Sequence, residues 1–205
     1  MDNPLLENRD YTLIIDKSGS MSTLDQAGGI SRWDAAQEST LALARKCEEF
    51  DSDGITVYLF SDRFQRFDEV TSQHVAQIFQ DNVPGGSTNL AVVLQDATKN
   101  YFQRKALGEA KTGETVLVLT DGQPNDPWAV IDVIISTSRK LESNEELAIS
   151  FIQVGSDPKA TRFLKGLDEQ LQGVGAKFDI CDTVTLDEME DISLAEVLLN
   201  AMMHQ

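Results

Sequence analysis

Cysteine, histidine and positive charge are all scarce in this 205-residue chain. It has two cysteines, two histidines, and 17 lysines and arginines against 34 aspartates and glutamates, for a formal net charge of −17. A surface this acidic argues against nucleic acid and anionic membranes as partners, because both would repel it. It favours solubility, divalent cations and basic patches on a partner. Cys47 and Cys181 fall in an expected helix and an expected strand and read as two buried free thiols. His74 and His204 are isolated and read as solvated rather than catalytic. No apolar run is long enough to span a bilayer, and Met1-Asp2-Asn3-Pro4 lacks a basic segment followed by an apolar one. The expected compartment is the cytoplasm. Internal repeats, low-complexity tracts and interdomain linkers are absent as well.

What is present is ordinary for a globular protein: 41% hydrophobic and 25% charged residues, in a length that suits one domain over residues 1–205. Tyr11 to Ile15, Ile55 to Phe60, Thr115 to Leu119 and Leu147 to Val154 are apolar, β-branched runs, the pattern of strands buried on both faces. Lys177 to Val184 reads as a last strand, and Phe64 to Val70 as a short edge strand whose Arg63, Arg66, Asp68 and Glu69 discourage pairing with other chains. Helical patterns lie between them. One runs to about Phe50 with Ser31 or Asp34 as its cap. A short one covers Val75 to Phe79, one spans Leu90 to about Arg104, one starts at Pro127, one covers Pro158 to Leu171, and Leu194 to Met203 closes the chain. Asp51 to Gly54 reads as a turn, and the acidic stretch Asp182 to Asp191 as a solvated connector. Alternating strands and helices imply parallel pairing with right-handed crossovers. The expected fold is a three-layer, doubly wound, Rossmann-like α/β sheet, mostly parallel with one short antiparallel edge strand.

Three short stretches organise the chain chemically: Asp16-Lys17-Ser18-Gly19-Ser20, Gly85-Gly86-Ser87-Thr88 and Thr120-Asp121-Gly122. The first and third each close an apolar strand. If those strands are neighbours, both carboxylates reach the carboxyl edge of the sheet, where open α/β sheets bind ligands. Thr88, ending a Gly-rich loop before a helix, reaches the same edge. Two carboxylates at about 5 Å repel by on the order of 3 kcal/mol at an effective dielectric near 20. A cation offsets that repulsion. Lys17 is the one basic residue nearby in sequence, and by alternation it points away. Two carboxylates and three hydroxyls form an all-oxygen site suited to a hard divalent cation, Mg2+ first, with Mn2+ or Ca2+ as alternatives. Gly19 and Gly86 would let the backbone bend tightly around the ion.

Asp16, Ser18 and Ser20 in a DxSxS pattern, Thr88 after the double glycine, and Asp121 before glycine together resemble the metal-ion-dependent adhesion site of von Willebrand factor A domains. The resemblance covers nearly the whole chain. It implies that Ser18 and Ser20 ligate the metal directly, that Thr88 and Asp121 alternate between direct and water-mediated roles, and that Asp16 acts partly through water or the serines. It also implies that an Asp or Glu from a partner protein completes the shell. The chain looks most like intracellular bacterial members of the family that act as adaptors. By the same likeness Met21 is exposed, and Met21, Gln123, Asn125 and Trp128 form a rim, with Trp128 either packed under its helix or serving as an anchor.

The expected function is therefore a metal-dependent protein-binding module rather than an enzyme, since no nucleophile–base pair stands out. The alternative is a Mg2+-dependent phosphohydrolase with Asp16 as nucleophile. That class resembles haloacid dehalogenase-type phosphatases, which carry a second Asp where this chain has Ser18. No Gly-x-Gly-x-x-Gly follows the first strand and no P-loop Lys-Ser/Thr pair is present.

Overall fold

The computed structural model describes residues 6–203 apart from 8, 51–53 and 112. Six strands form one sheet: β1 (Asp10–Asp16), β2 (Ile55–Phe60), β3 (Phe64–Val70), β4 (Glu114–Thr120), β5 (Leu147–Gln153) and β6 (Cys181–Thr185). Their spatial order is β3-β2-β1-β4-β5-β6, with every neighbouring pair parallel except the β2–β3 hairpin. The chain therefore winds outward from β1 in one direction and from β4 in the other. The β1–β4 junction is the switch point of the sheet, the place where a crevice opens at the carboxyl ends of the strands.

The central strands are continuous apolar runs because both sheet faces are covered. Leu13 and Ile15 of β1, Val57 and Leu59 of β2, and Leu117 and Leu119 of β4 pack on one face. There they meet α1 (Arg32–Phe50), α2 (Ser72–Gln80) and α7 (Leu194–Met203) through residues such as Leu43, Phe79 and Leu198. Ile14, Tyr58, Val116, Val118 and Phe151 point the other way, onto α3 (Leu90–Leu107), α4 (Pro127–Lys140) and α5 (Pro158–Glu169). Fully burying one such Leu or Ile contributes about 1.5–3 kcal/mol. A slip of one residue in β1 would exchange the two cores, so register is strongly specified. Thr12–Thr56 and Thr12–Val116 are the observed partners on the two sides of β1.

The helix starts follow from local chemistry. Ser31 Oγ accepts from Asp34 N at 3.0 Å, and Asp34 Oδ2 accepts from Ser31 Oγ at 2.6 Å, so both expected caps of α1 act reciprocally. Pro127 is the first residue of α4, with Asp126 accepting from Ala129 N.

Three expectations are corrected. The last strand begins only at Cys181, because Phe178 N donates to Ser138 Oγ in a loop rather than to a neighbouring strand. The acidic stretch is not a connector: it contains the end of β6 and a short helix, α6 (Leu186–Glu190), and Asp182 is buried against Ser150 Oγ at 3.1 Å. The expected short helix before Val83 extends to nine residues. Most of the expected turn at Asp51 to Gly54, and His204, lie outside the described residues. Both cysteines are buried. Among the described residues, no helix is long and apolar enough to cross a membrane.

Candidate metal centre

Asp16 is the last residue of β1 and is fully buried. Its Oδ1 accepts from Ser18 N at 2.7 Å, and its Oδ2 accepts from Thr120 Oγ1, at the end of β4, at 2.7 Å. The Asp16 carboxyl is raised to about 6: burial, foremost, and the charge of Asp121 push it up, and the hydrogen bonds from Ser18 and Thr120 pull it down. Ser18 Oγ lies 3.1 Å from Ser20 Oγ, and Ser20 Oγ donates to Asp121 Oδ1 at 2.8 Å. Asp16, Ser18, Ser20 and Asp121 thus form one connected polar chain across the switch point. Ser20 is exposed and Asp121 buried, so the chain runs from the interior to the surface.

Thr88 is buried and is held by Asn125 rather than by a member of that chain. Thr88 N donates to Asn125 Oδ1 at 3.1 Å, and Asn125 N donates to Thr88 O at 2.9 Å. The Gly85–Thr88 loop is stitched to the first loop by Gly85 N to Lys17 O at 2.7 Å and Gly19 N to Gly86 O at 3.0 Å. Gly86 has φ +86°, the left-handed region glycine enters without strain. Gly19 does not: its φ is not positive, and an added Cβ would meet only Gly86 O at 3.7 Å, an ordinary contact. Its place in the loop does not require glycine on conformational grounds.

The structure adds a residue that sequence reasoning passed over. Arg32, at the start of α1, donates through Nη1 to Asp121 Oδ2 at 2.8 Å, while Nη2 pairs with Asp25 Oδ2 at 2.6 Å. The expectation that Lys17 is the one basic group nearby is corrected accordingly. Arg32 lies 89 positions before Asp121 in sequence, and only the closing of the loop after β1 brings them together. The guanidinium holds the Asp25 carboxyl down at about 2. Met21 is corrected too. It sits in a 3₁₀ turn (Gly19–Ser22) that rotates its side chain into the core, leaving it 0% exposed. Trp128 is 75% exposed rather than packed under its helix. Asn125 is the remaining rim residue with a defined role, since it clasps Thr88 and also donates from Nδ2 to Ser87 Oγ at 2.8 Å.

The donor set fits a hard cation on its chemistry. It offers carboxylate and hydroxyl oxygens with no soft ligand, and the buried Asp16 and Asp121 carry negative charge that a cation would offset. Among the described residues no group of three or more His, Cys, Asp or Glu side chains gathers. Such a site therefore depends on the hydroxyls of Ser18, Ser20 and Thr88 for most of its donors. An open cleft of about 910 Å³ between α3 and α4, lined by Val92, Asp96, Phe102 and Lys140, takes no part in this cluster.

A doubly wound sheet carrying loop-borne carboxylates and hydroxyls at its switch point defines an α/β binding domain of the Rossmann-like class. The von Willebrand factor type A domain profile matches residues 11–123, more than half of the chain and a span that contains all five candidate residues. The chain belongs to that family. Among solved structures, it is similar to the D319A mutant of the PilB minor pilin from Streptococcus sanguinis, with a TM-score of 0.63 and 14% identity over 94% of this chain and 60% of the pilin. It is also similar to the manganese-loaded Plasmodium vivax TRAP protein, with a TM-score of 0.59 and 16% identity over 95% of this chain and 74% of that one. A third similar structure is proximal thread matrix protein 1 from the mussel byssus, with a TM-score of 0.52 and 18% identity over 96% of this chain and 45% of that one. The chain thus spans less than two thirds of the pilin and of the mussel protein. At these identities the likeness is one of fold. No curated protein sequence matches significantly.

Proposed function

We propose that this von Willebrand factor type A domain is a divalent-metal-dependent protein-binding module, an adaptor or complex subunit. The cation, Mg2+ first with Mn2+ or Ca2+ as alternatives, is held by Asp16, Ser18, Ser20, Thr88 and Asp121, and an Asp or Glu of a partner protein completes its shell. The observation that carries this reading is the connected chain from Asp16 to Asp121 across the β1–β4 switch point. The manganese loading of the TRAP structure, which shares the fold, supports a divalent ion in this class of domain. When bound, the ion supplies a positive centre for an anionic oxygen. Neutral hydroxyls offset little of its charge, so an outside carboxylate is a favourable ligand. The exposed Trp128 beside the loops offers an interface anchor.

The test is an affinity pull-down from source-cell lysate with wild type in Mg2+, wild type in EDTA, and Asp16→Ala in Mg2+. A protein retained only by wild type in Mg2+ is the expected result and supplies the partner. Identical retention in all three conditions would mean that the crevice is not the main interface.

A further inference from the structure

Arg32 stands where three loops meet. Nη1 reaches Asp121 Oδ2 at 2.8 Å; Nε lies 3.0 and 3.1 Å from the two Asp25 oxygens, and Nη2 lies 2.6 Å from Asp25 Oδ2. The third loop follows β5. There Gly155 has φ +75°, and a Cβ on it would sit 2.9 Å from Arg32 Nε, so the guanidinium fits because residue 155 has no side chain. The Arg32 side chain is 14% exposed, and those of Asp25 and Asp121 are 36% and 0% exposed. This is a built bracket with one charged end in the crevice and the other in solvent.

We propose that Arg32 is a resident counter-charge that sets the cation affinity of the crevice. The inference rests on the metal-binding reading above. Arg32 engages Asp121 at Oδ2 and Ser20 engages it at Oδ1, so an ion reaching either oxygen shares it with a hydrogen-bond donor already in place. In the absence of a cation the guanidinium offsets the repulsion between Asp16 and Asp121. With a cation present, its positive charge opposes the ion and shares the negative charge of Asp121. The ion is then held loosely and left short of negative charge, the condition under which a partner carboxylate adds most. Asp25 tunes the device by drawing the guanidinium from its outer side. Arg32 is thus a positioning residue that acts through Asp121.

Calorimetric titration with Mn2+ tests this on the intact chain. Arg32→Gln is expected to bind Mn2+ at least about tenfold more tightly, a floor set well below the full Coulomb repulsion between a unit positive charge and a divalent ion several ångströms away. Arg32→Lys keeps the charge and is expected to stay close to wild type. Asp25→Asn leaves Arg32 wholly to Asp121 and is expected to bind several-fold more weakly. Asp25 is exposed, so this variant gives a reading even if Arg32→Gln does not fold. In EDTA, Arg32→Gln should melt below wild type and recover more on adding Mn2+. Wild-type affinity in both Arg32→Gln and Asp25→Asn would overturn the counter-charge while leaving the metal site standing. Weaker binding by Arg32→Gln, or the same change in Arg32→Lys as in Arg32→Gln, would overturn it as well. Binding by Arg32→Gln alone would support it in its strongest form, and no binding by any of these proteins would overturn both readings.

Discussion

Asn125 and Thr88 clasp one another by two hydrogen bonds, Thr88 N to Asn125 Oδ1 at 3.1 Å and Asn125 N to Thr88 O at 2.9 Å. The pair joins the loop after β4 to the loop before α3, so the position of the Thr88 hydroxyl depends on a residue that is not itself a candidate ligand. Asn125→Ala removes the bonds its side chain makes to Thr88 and Ser87, at a cost of about 1–2 kcal/mol. A melt in EDTA should fall accordingly, and Mn2+ titration should show weaker binding than wild type. Unchanged Mn2+ affinity with lowered stability would separate the clasp from the site.

Gly86 is the conformational pivot of the same loop. At φ +86° an added Cβ would lie 2.5 Å from Asp62 Oδ2 and 3.1 Å from Ser61 Oγ. Gly86→Ala combines a left-handed backbone with that clash and should destabilise the protein by about 1–3 kcal/mol. Gly85→Ala, with nothing within 4 Å of the new Cβ, is the control and should stay within about 0.5 kcal/mol of wild type. Denaturant unfolding of the two variants side by side checks the difference.

Metal removal has a thermodynamic size. Mg2+ at one hundred times its dissociation constant stabilises the folded state by about 2.7 kcal/mol if it binds that state alone. The melting temperature should therefore drop in EDTA. Asp16→Ala should abolish the difference between the two buffers while leaving the fold largely intact. A melting temperature that ignores EDTA in wild type would count against the site.

Acidification should loosen the last two helices. Glu188 accepts from Thr185 N and Oγ1 at the start of α6, and Glu196 accepts from Ser193 N and Oγ at the start of α7. Those hydrogen bonds hold both carboxyls below the ordinary glutamate value of 4.5. A depressed carboxyl contributes stability that is present above its unfolded value and lost as pH falls through its folded one. Melting temperatures measured from pH 7 down to below pH 4.5 should fall less steeply for a Glu188→Gln, Glu196→Gln double variant than for wild type. The raised Asp16 carboxyl acts in the opposite direction, but it does so in both proteins and cancels in the comparison.

Much of the fold is legible in local sequence. β1, β2, β4 and β5 are continuous apolar runs because helices cover both faces, and Ser31, Asp34 and Pro127 mark helix starts by their capping chemistry. What misleads is the direction a side chain takes within a loop. Met21 reads as exposed until a single 3₁₀ turn rotates it inward, and Trp128 can be packed or exposed at the same position in a helix. Asp182 reads as part of a charged connector until its partner Ser150 arrives from β5. The Asp182 contact depends on a residue 32 positions away.

Local sequence marks the central strands β1, β2, β4 and β5 and the starts of α1, α3, α4, α5 and α7, and it puts two carboxylates and three hydroxyls in three loops, because periodicity and capping are properties of short segments. That β1 lies against β4 is a product of tertiary packing. That adjacency lets Thr120 reach Asp16, 104 positions away, and Arg32 reach Asp121, 89 positions away. Strand order and loop closure are set by packing two apolar cores on opposite faces of one sheet, an interaction among residues distant in the chain. The charge balance of the crevice, with an arginine drawn in between Asp25 and Asp121, follows from that closure.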